Sequence, residues 1–120
     1  MQKVMIIDDS LVVRKIVETA MRRAGVSCTS YKDGIEAIQA LKQQDGLPDL
    51  IFLDIGLPRL DGYDVLRLLK TSPRFDRTPI FILSGHDGVL DRVKSRLAGA
   101  RGHINKPFKV QELLSVVRAS

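Results

Sequence analysis

The sequence predicts an α/β fold: a five-stranded parallel sheet, doubly wound, with strand order 2-1-3-4-5. Two observations carry this. Short apolar runs alternate with stretches whose apolar residues recur at helical spacing, and the alternation continues from one end of the chain to the other. Right-handed crossovers between parallel strands then leave few topologies. A length of 120 residues suits one domain, residues 1–120, with no internal linker, repeat or low-complexity tract.

Val4-Met5-Ile6-Ile7 reads as the first buried strand, and it stops at Asp8-Asp9. Ser10 stands where an N-cap belongs. Behind it Val13, Ile16, Val17, Ala20, Met21 and Ala24 mark one helix face, with Gly25 as the C-cap. Val26 to Tyr31 carries β-branched and aromatic residues and reads as the second strand. Asp33-Gly34 reads as a turn. Ala37, Ile38 and Leu41 mark the second helix, which is expected to stop near Asp45-Gly46-Leu47-Pro48. Leu50-Ile51-Phe52-Leu53 is the third strand and ends in Asp54. The loop Gly56-Leu57-Pro58-Arg59-Leu60 leads to Asp61-Gly62 and a helix that turns Val65, Leu66 and Leu69 inward until Ser72-Pro73. Pro79 opens the fourth strand, Ile80-Phe81-Ile82-Leu83, which ends in Ser84-Gly85. A helix through Leu90, Val93 and Leu97 follows, ending at Gly99. Gly102-His103-Ile104-Asn105 is a short last strand before Lys106-Pro107, and Val110, Leu113, Leu114 and Val117 mark the last helix.

Composition excludes several classes. No apolar run approaches the roughly 20 residues that span a bilayer. Met1 to Asp9 turns acidic too soon for a signal peptide, so the expected location is cytoplasmic. The single cysteine, Cys28, offers neither an internal disulfide nor a zinc site and reads as a small buried hydrophobe. A net charge of +5 invites a nucleic-acid reading, but the basic residues are scattered beside Asp and Glu on helix surfaces. With 5% aromatics and no Trp there is no stacking platform for single strands.

In such sheets the ligand site lies beyond the carboxyl ends of the strands. The residues there are Asp8, Asp9, Asp54, Ser84 and Lys106. Adjacent first and third strands bring three carboxylates together, facing one hydroxyl and one ammonium. Lys106 alone does not balance three negative charges, so a divalent cation is the economical addition, and hard oxygen ligands select Mg²⁺ or Mn²⁺. Cation, lysine and hydroxyl can together hold three phosphoryl oxygens, and a carboxylate facing the phosphorus can act as nucleophile. Asp54, from a central strand, is the candidate nucleophile, with Asp8 and Asp9 holding the metal. Taken singly, each residue has a plainer reading: a helix-terminal charge for Asp8-Asp9, a loop carboxylate for Asp54, a turn cap for Ser84, a solvated side chain for Lys106.

Five segments together resemble the receiver domain of two-component response regulators, which has a flavodoxin-like fold. They are Ile6-Ile7-Asp8-Asp9-Ser10, Asp33-Gly34-Ile35-Glu36-Ala37, Leu50 to Asp54 with Leu57 to Gly62 behind it, Ile82-Leu83-Ser84-Gly85, and Asn105-Lys106-Pro107-Phe108. Pro58 to Tyr63 and Leu83 to Gly88 are also similar to stand-alone regulators of the chemotaxis and twitching-motility kind.

The resemblance implies that Asp54 accepts a phosphoryl group from a histidine kinase or a phosphotransfer protein. It implies Mg²⁺ on Asp9, Asp54 and the Gly56 backbone carbonyl, with Asp8 acting through a metal-bound water. Lys106 would pair with a phosphoryl oxygen, Ser84 would swing in to hydrogen-bond it, and the Lys106-Pro107 bond would be cis. The aromatic switch position is held here by His103, a departure from the family's Tyr or Phe, and a surface histidine with no switching role is the plainer reading. Gly56 and His86 would tune the lifetime of the phosphoryl group. The fourth helix, fifth strand and fifth helix would form the face that binds a downstream target. Such a chain catalyses only its own phosphorylation and dephosphorylation.

Three other readings compete. An aspartyl-phosphate phosphohydrolase needs a second Asp two residues after its nucleophile, where this chain has Gly56. A nucleotide-binding module needs a glycine-rich turn where Asp8-Asp9-Ser10-Leu11 stands. A receiver-like domain that binds partners without phosphorylation retains no reason for a complete acceptor site.

Overall fold

Every neighbouring pair of strands runs parallel, as the alternation of strand and helix dictates. The structure, a computed structural model, describes residues 2–43, 47–57, 60–85 and 89–120, with backbone only for 89–91. In chain order it comprises β1 (Lys3–Ile7), α1 (Leu11–Arg23), β2 (Ser27–Tyr31), α2 (Gly34–Gln43), β3 (Leu50–Asp54), α3 (Gly62–Lys70), β4 (Ile80–Ser84), α4 (Val89–Leu97), β5 (Gly102–Asn105) and α5 (Val110–Arg118). The strand order is β2-β1-β3-β4-β5.

Alternation of side chains along the strands splits the core in two. Met5, Ile7, Ile51, Leu53, Ile80 and Ile82 face one way and meet Ala37 and Leu41 of α2 and Val65, Leu66 and Leu69 of α3. Val4, Ile6, Leu50, Phe52, Leu83 and Ile104 face the other way and meet Val17 and Met21 of α1 and Leu113, Leu114 and Val117 of α5. The central strand β3 is buried along its whole length, which is why it reads as an unbroken apolar run.

Local signals place the helix ends. The Ser10 hydroxyl accepts from the Val13 N–H at 3.3 Å. Ala24 is the C-cap of α1, and Gly25 stands one residue beyond it with φ of 75°. There Gly25 N–H donates to Arg22 O at 3.0 Å and Val26 N–H to Met21 O at 2.9 Å, the paired closure that a left-handed residue permits.

Three expectations need correction, and one element is additional. Asp33-Gly34 is not a separate turn: the Asp33 carboxylate accepts from Glu36 N–H at 2.8 Å and Gly34 is the first residue of α2. Ile16 and Ala24 are exposed, because α1 packs along the narrow 13-17-21 row and the neighbouring row faces solvent. On α4, Val93 and Leu97 are exposed while Ser95 is buried, so apolar spacing there does not mark the inner face. A 3₁₀ turn at Pro73–Phe75, not expected from the sequence, buries Phe75 in the core on the α2 and α3 side of the sheet. Residues 45–46 and 58–59 and the side chain of Leu90 lie outside the described residues. Cys28 is half-buried against the α1/α5 core, and burial, with Glu18 nearby and Arg22 opposing, pushes its thiol up to about 12.

The start of α3 lies directly on the end of β3. Gly62 N–H donates to Ile55 O at 3.1 Å, and a Cβ at Gly62 would sit 2.5 Å from both Asp54 O and Ile55 Cα. No flexible side chain is there to yield. Gly62→Ala is expected to cost about 2 kcal/mol by urea unfolding, the usual cost of overpacking a rigid contact. An unchanged unfolding midpoint would show that the backbone there yields freely.

Candidate functional site

The site follows from register. Val4 pairs with Leu50 and Ile7 with Leu53, so one step further Asp8 lies level with Asp54. Both project on the face that α1 and α5 cover. Ser84 closes β4 opposite Asn105, and Lys106 follows at once. Lys106 N–H donates to Ser84 O at 2.7 Å, and the Lys106-Pro107 peptide bond is cis. The lysine Nζ lies 2.6 Å from Asp8 Oδ2 and 3.3 Å from Asp54 Oδ2.

One carboxylate oxygen from each of Asp8, Asp9 and Asp54 lies within 4.8 Å of the others. Asp8 and Asp54 are buried and Asp9 is exposed. Every polar atom of Asp8 is engaged. Its N–H donates to Tyr31 O at 3.0 Å, its carbonyl accepts from Arg14 Nη1 at 2.7 Å, its Oδ1 accepts from Ser10 N–H at 2.9 Å, and its Oδ2 meets Lys106. Asp54 Oδ1 accepts from Gly56 N–H at 3.0 Å. Among the described residues, no hydrogen bond or ion pair reaches the Asp9 carboxylate.

The electrostatics are unbalanced. Burial pushes the Asp54 carboxyl above its usual range, and the Asp8 charge adds to this against the Gly56 N–H and Lys106. Burial pulls Lys106 down, but the Asp8 hydrogen bond and the charges of Asp54 and Asp8 outweigh it and leave the ammonium above its usual value. The donor set therefore fits a small hard cation: all oxygen, excess negative charge, and one carboxylate without a partner. Gly56 is exposed on the turn after Asp54, where a Cβ would meet nothing closer than Asp54 Oδ1 at 3.8 Å.

The remaining candidates lie around this cluster. Ser84 is fully buried at the end of β4. His103 is on β5, half-buried, with both ring nitrogens turned away from solvent. It lines a cavity of about 400 Å³ beside α4, with Ser95, Arg96 and Gly102. His86 lies outside the described residues.

The model of the family described as response regulator receiver domain matches residues 4–118. The chain belongs to the response regulator receiver domain family. Protein PilG of Pseudomonas aeruginosa is 40% identical over 117 residues, covering 98% of this chain and 85% of PilG. Response regulator MprA of Mycobacterium leprae is 35% identical over 117 residues, and the match takes 98% of this receiver domain but 50% of MprA. The chemotaxis response regulator CheY4 of Vibrio cholerae superposes with a TM-score of 0.90 at 28% identity, over 99% of this chain and 98% of that one. A Francisella response regulator receiver domain also gives 0.90, at 27% identity over 99% and 95% of the two chains. Among the described residues, no helix of this receiver domain is long and apolar enough to cross a membrane.

Sequence reasoning missed Arg14 and Gly62. Arg14 reads as one more cation on a helix surface, since nothing in its spacing points back to the Asp8 carbonyl. Gly62 carries a faint signal, a glycine opening a helix directly behind a strand end.

Because Asp54 holds its proton more tightly folded than unfolded, its contribution to stability is favourable at low pH and is lost as pH rises through the folded value. Asp54→Asn removes that loss and leaves Lys106 and Asp8 as a matched pair. The metal-free variant is expected to melt about 4 °C higher at neutral pH, the shift for about 1 kcal/mol at this length. Its melting temperature should also vary less with pH above the ordinary carboxylate range. A lower melting temperature, read by circular dichroism, would mean that the Asp54–Lys106 contact outweighs burial.

Proposed function

We propose that this receiver domain, residues 1–120, is a phosphorylation switch. Asp54 accepts a phosphoryl group from the phosphohistidine of a histidine kinase or phosphotransfer protein, in a reaction that needs Mg²⁺. The observation that carries this is the cluster itself: Asp8 and Asp54 bridged by Lys106, with Asp9 within the same 4.8 Å and unpartnered among the described residues. A purely structural cluster gains nothing from a third carboxylate that pairs with nothing.

Asp9, Asp54 and the Gly56 carbonyl would hold the ion, with Asp8 reaching it through water. Bound there, Mg²⁺ offsets the carboxylate charge and that of the phosphoryl oxygens. The chain's own residues do the rest. An Asp54 oxygen attacks phosphorus, the P–N bond of the phosphohistidine breaks, and the imidazole nitrogen keeps the electron pair. The raised Lys106 ammonium stays charged throughout and turns from the carboxylates toward the transferred group. Phosphoryl transfer asks mainly for position and charge balance, so few groups suffice. The chain thereby catalyses its own phosphorylation, and its dephosphorylation by water, with no other substrate. Gly56 leaves the approach to Asp54 open, and His86 is the second position that tunes the lifetime.

The output follows as a population shift. The phosphoryl group gives Ser84 and Lys106 contacts they make in the active state alone, so it biases an existing equilibrium. Lys106 N–H on Ser84 O ties the two residues through one backbone hydrogen bond. His103, one strand further out beside a cavity with room for a ring to turn, is the coupled switch residue. The face of α4, β5 and α5 then presents itself to a target protein, in the cytoplasm.

Incubation with acetyl phosphate, followed by intact mass, tests this. The expected result is a single phosphoryl adduct that requires Mg²⁺ and is absent in Asp54→Asn. An adduct that survives Asp54→Asn moves the acceptor elsewhere, and steady turnover of unrelated phosphomonoesters favours the phosphohydrolase reading.

A further inference from the structure

Asp9 differs from the other two carboxylates in how it is held. Asp8 is fixed through its side chain by Ser10 N–H and Lys106, and Asp54 by Gly56 N–H and Lys106. Asp9 has no such support, so its direction is set by the backbone that carries it. That backbone is the Asp8–Asp9 peptide, just beyond the last residue of β1 and before the start of α1. Its carbonyl has one partner among the described residues, the Arg14 guanidinium at 2.7 Å. Arg14 is itself anchored, since its backbone N–H donates to Ser10 O at 3.0 Å in the first turn of α1.

We infer that Arg14 is the positioning residue for the cation site: by clamping the Asp8 carbonyl it fixes the Asp8–Asp9 peptide plane, and so aims the Asp9 carboxylate at the place between Asp8 and Asp54. The inference rests on the reading of this cluster as a Mg²⁺ site. Two effects of Arg14 oppose one another, which makes the inference decidable. As a positive charge near three carboxylates, Arg14 repels a cation, and its removal by charge alone would tighten Mg²⁺ binding. As a clamp on a ligand's backbone it preorganises the site, and its removal would weaken binding, as loss of an outer-shell partner does. The guanidinium is bonded to a neutral carbonyl at hydrogen-bond distance, where its directional effect is greatest, and among the described residues it makes no ion pair.

The test is calorimetric titration of Mg²⁺ into the metal-free chain, with no phosphoryl donor present. Arg14→Met, which keeps the aliphatic stem and loses both donor and charge, is expected to weaken Mg²⁺ affinity about 10-fold. Arg14→Lys, which keeps the charge and one donor, is expected to stay within about 3-fold of the parent. Circular dichroism checks that each variant is folded. If Arg14→Met does not fold, Arg14→Leu, which likewise lacks donor and charge, is read the same way, with weakening expected. Equal or tighter binding in Arg14→Met or Arg14→Leu overturns the inference and leaves Arg14 as a charge alone. A parent chain that takes up no Mg²⁺ overturns the function proposed for the cluster, and the role of Arg14 with it.

Discussion

Two carboxylates that share the end of a parallel sheet, with one ammonium between them, set the terms for the rest of this molecule. The register of β1 on β3 places Asp8 beside Asp54 whatever the loops do. In a partly buried place two such charges repel strongly, and the cost falls if a positive group lies against both. Lys106 is that group, at 2.6 and 3.3 Å, and it comes from the far edge of the sheet. The backbone bond from Lys106 to Ser84, the closure of β5 on β4 and the packing of α5 against α1 all serve to bring one lysine to that point.

The pairing is incomplete by design of the charges: three carboxylates against one ammonium. Asp54 carries the consequence, with its carboxyl raised by burial, and Asp9 carries the remainder as a carboxylate without a partner among the described residues. A site of this kind gives up stability for chemistry. The surrounding core is arranged to bear that loss, with β3 buried along its length and Gly62 pressed against the carbonyl of Asp54 so that the Asp54 backbone has little freedom.

Most of this was legible in the sequence because it depends on order along the chain. Apolar runs that stop abruptly at Asp8-Asp9, Asp54, Ser84 and Lys106 identify strand ends, and strand ends in a doubly wound sheet converge. The alternation of strand and helix gave the topology for the same reason. What stayed hidden depends on contact across the fold. Arg14 reaches back to the Asp8 carbonyl, an acceptor that no spacing reveals. Val93 and Leu97 have core-like spacing on α4, yet they are exposed, while Ser95 between them is buried. Asp33-Gly34 has the composition of a turn, but the Asp33 carboxylate caps α2 and Gly34 is already helical. In each case local chemistry permitted two outcomes and packing chose one.

The central claim is that a single cation site lies among Asp8, Asp9 and Asp54. Paramagnetic broadening by Mn²⁺ measures it most directly, since the effect falls steeply with distance from the ion. In amide spectra of the labelled chain, a small fraction of one equivalent of Mn²⁺ should erase the signals of Asp9, Asp54 and Gly56 first, with loss spreading outward from them. Broadening centred on other acidic residues, such as Asp61 and Asp64 at the start of α3, or no localised broadening at all, would contradict the account.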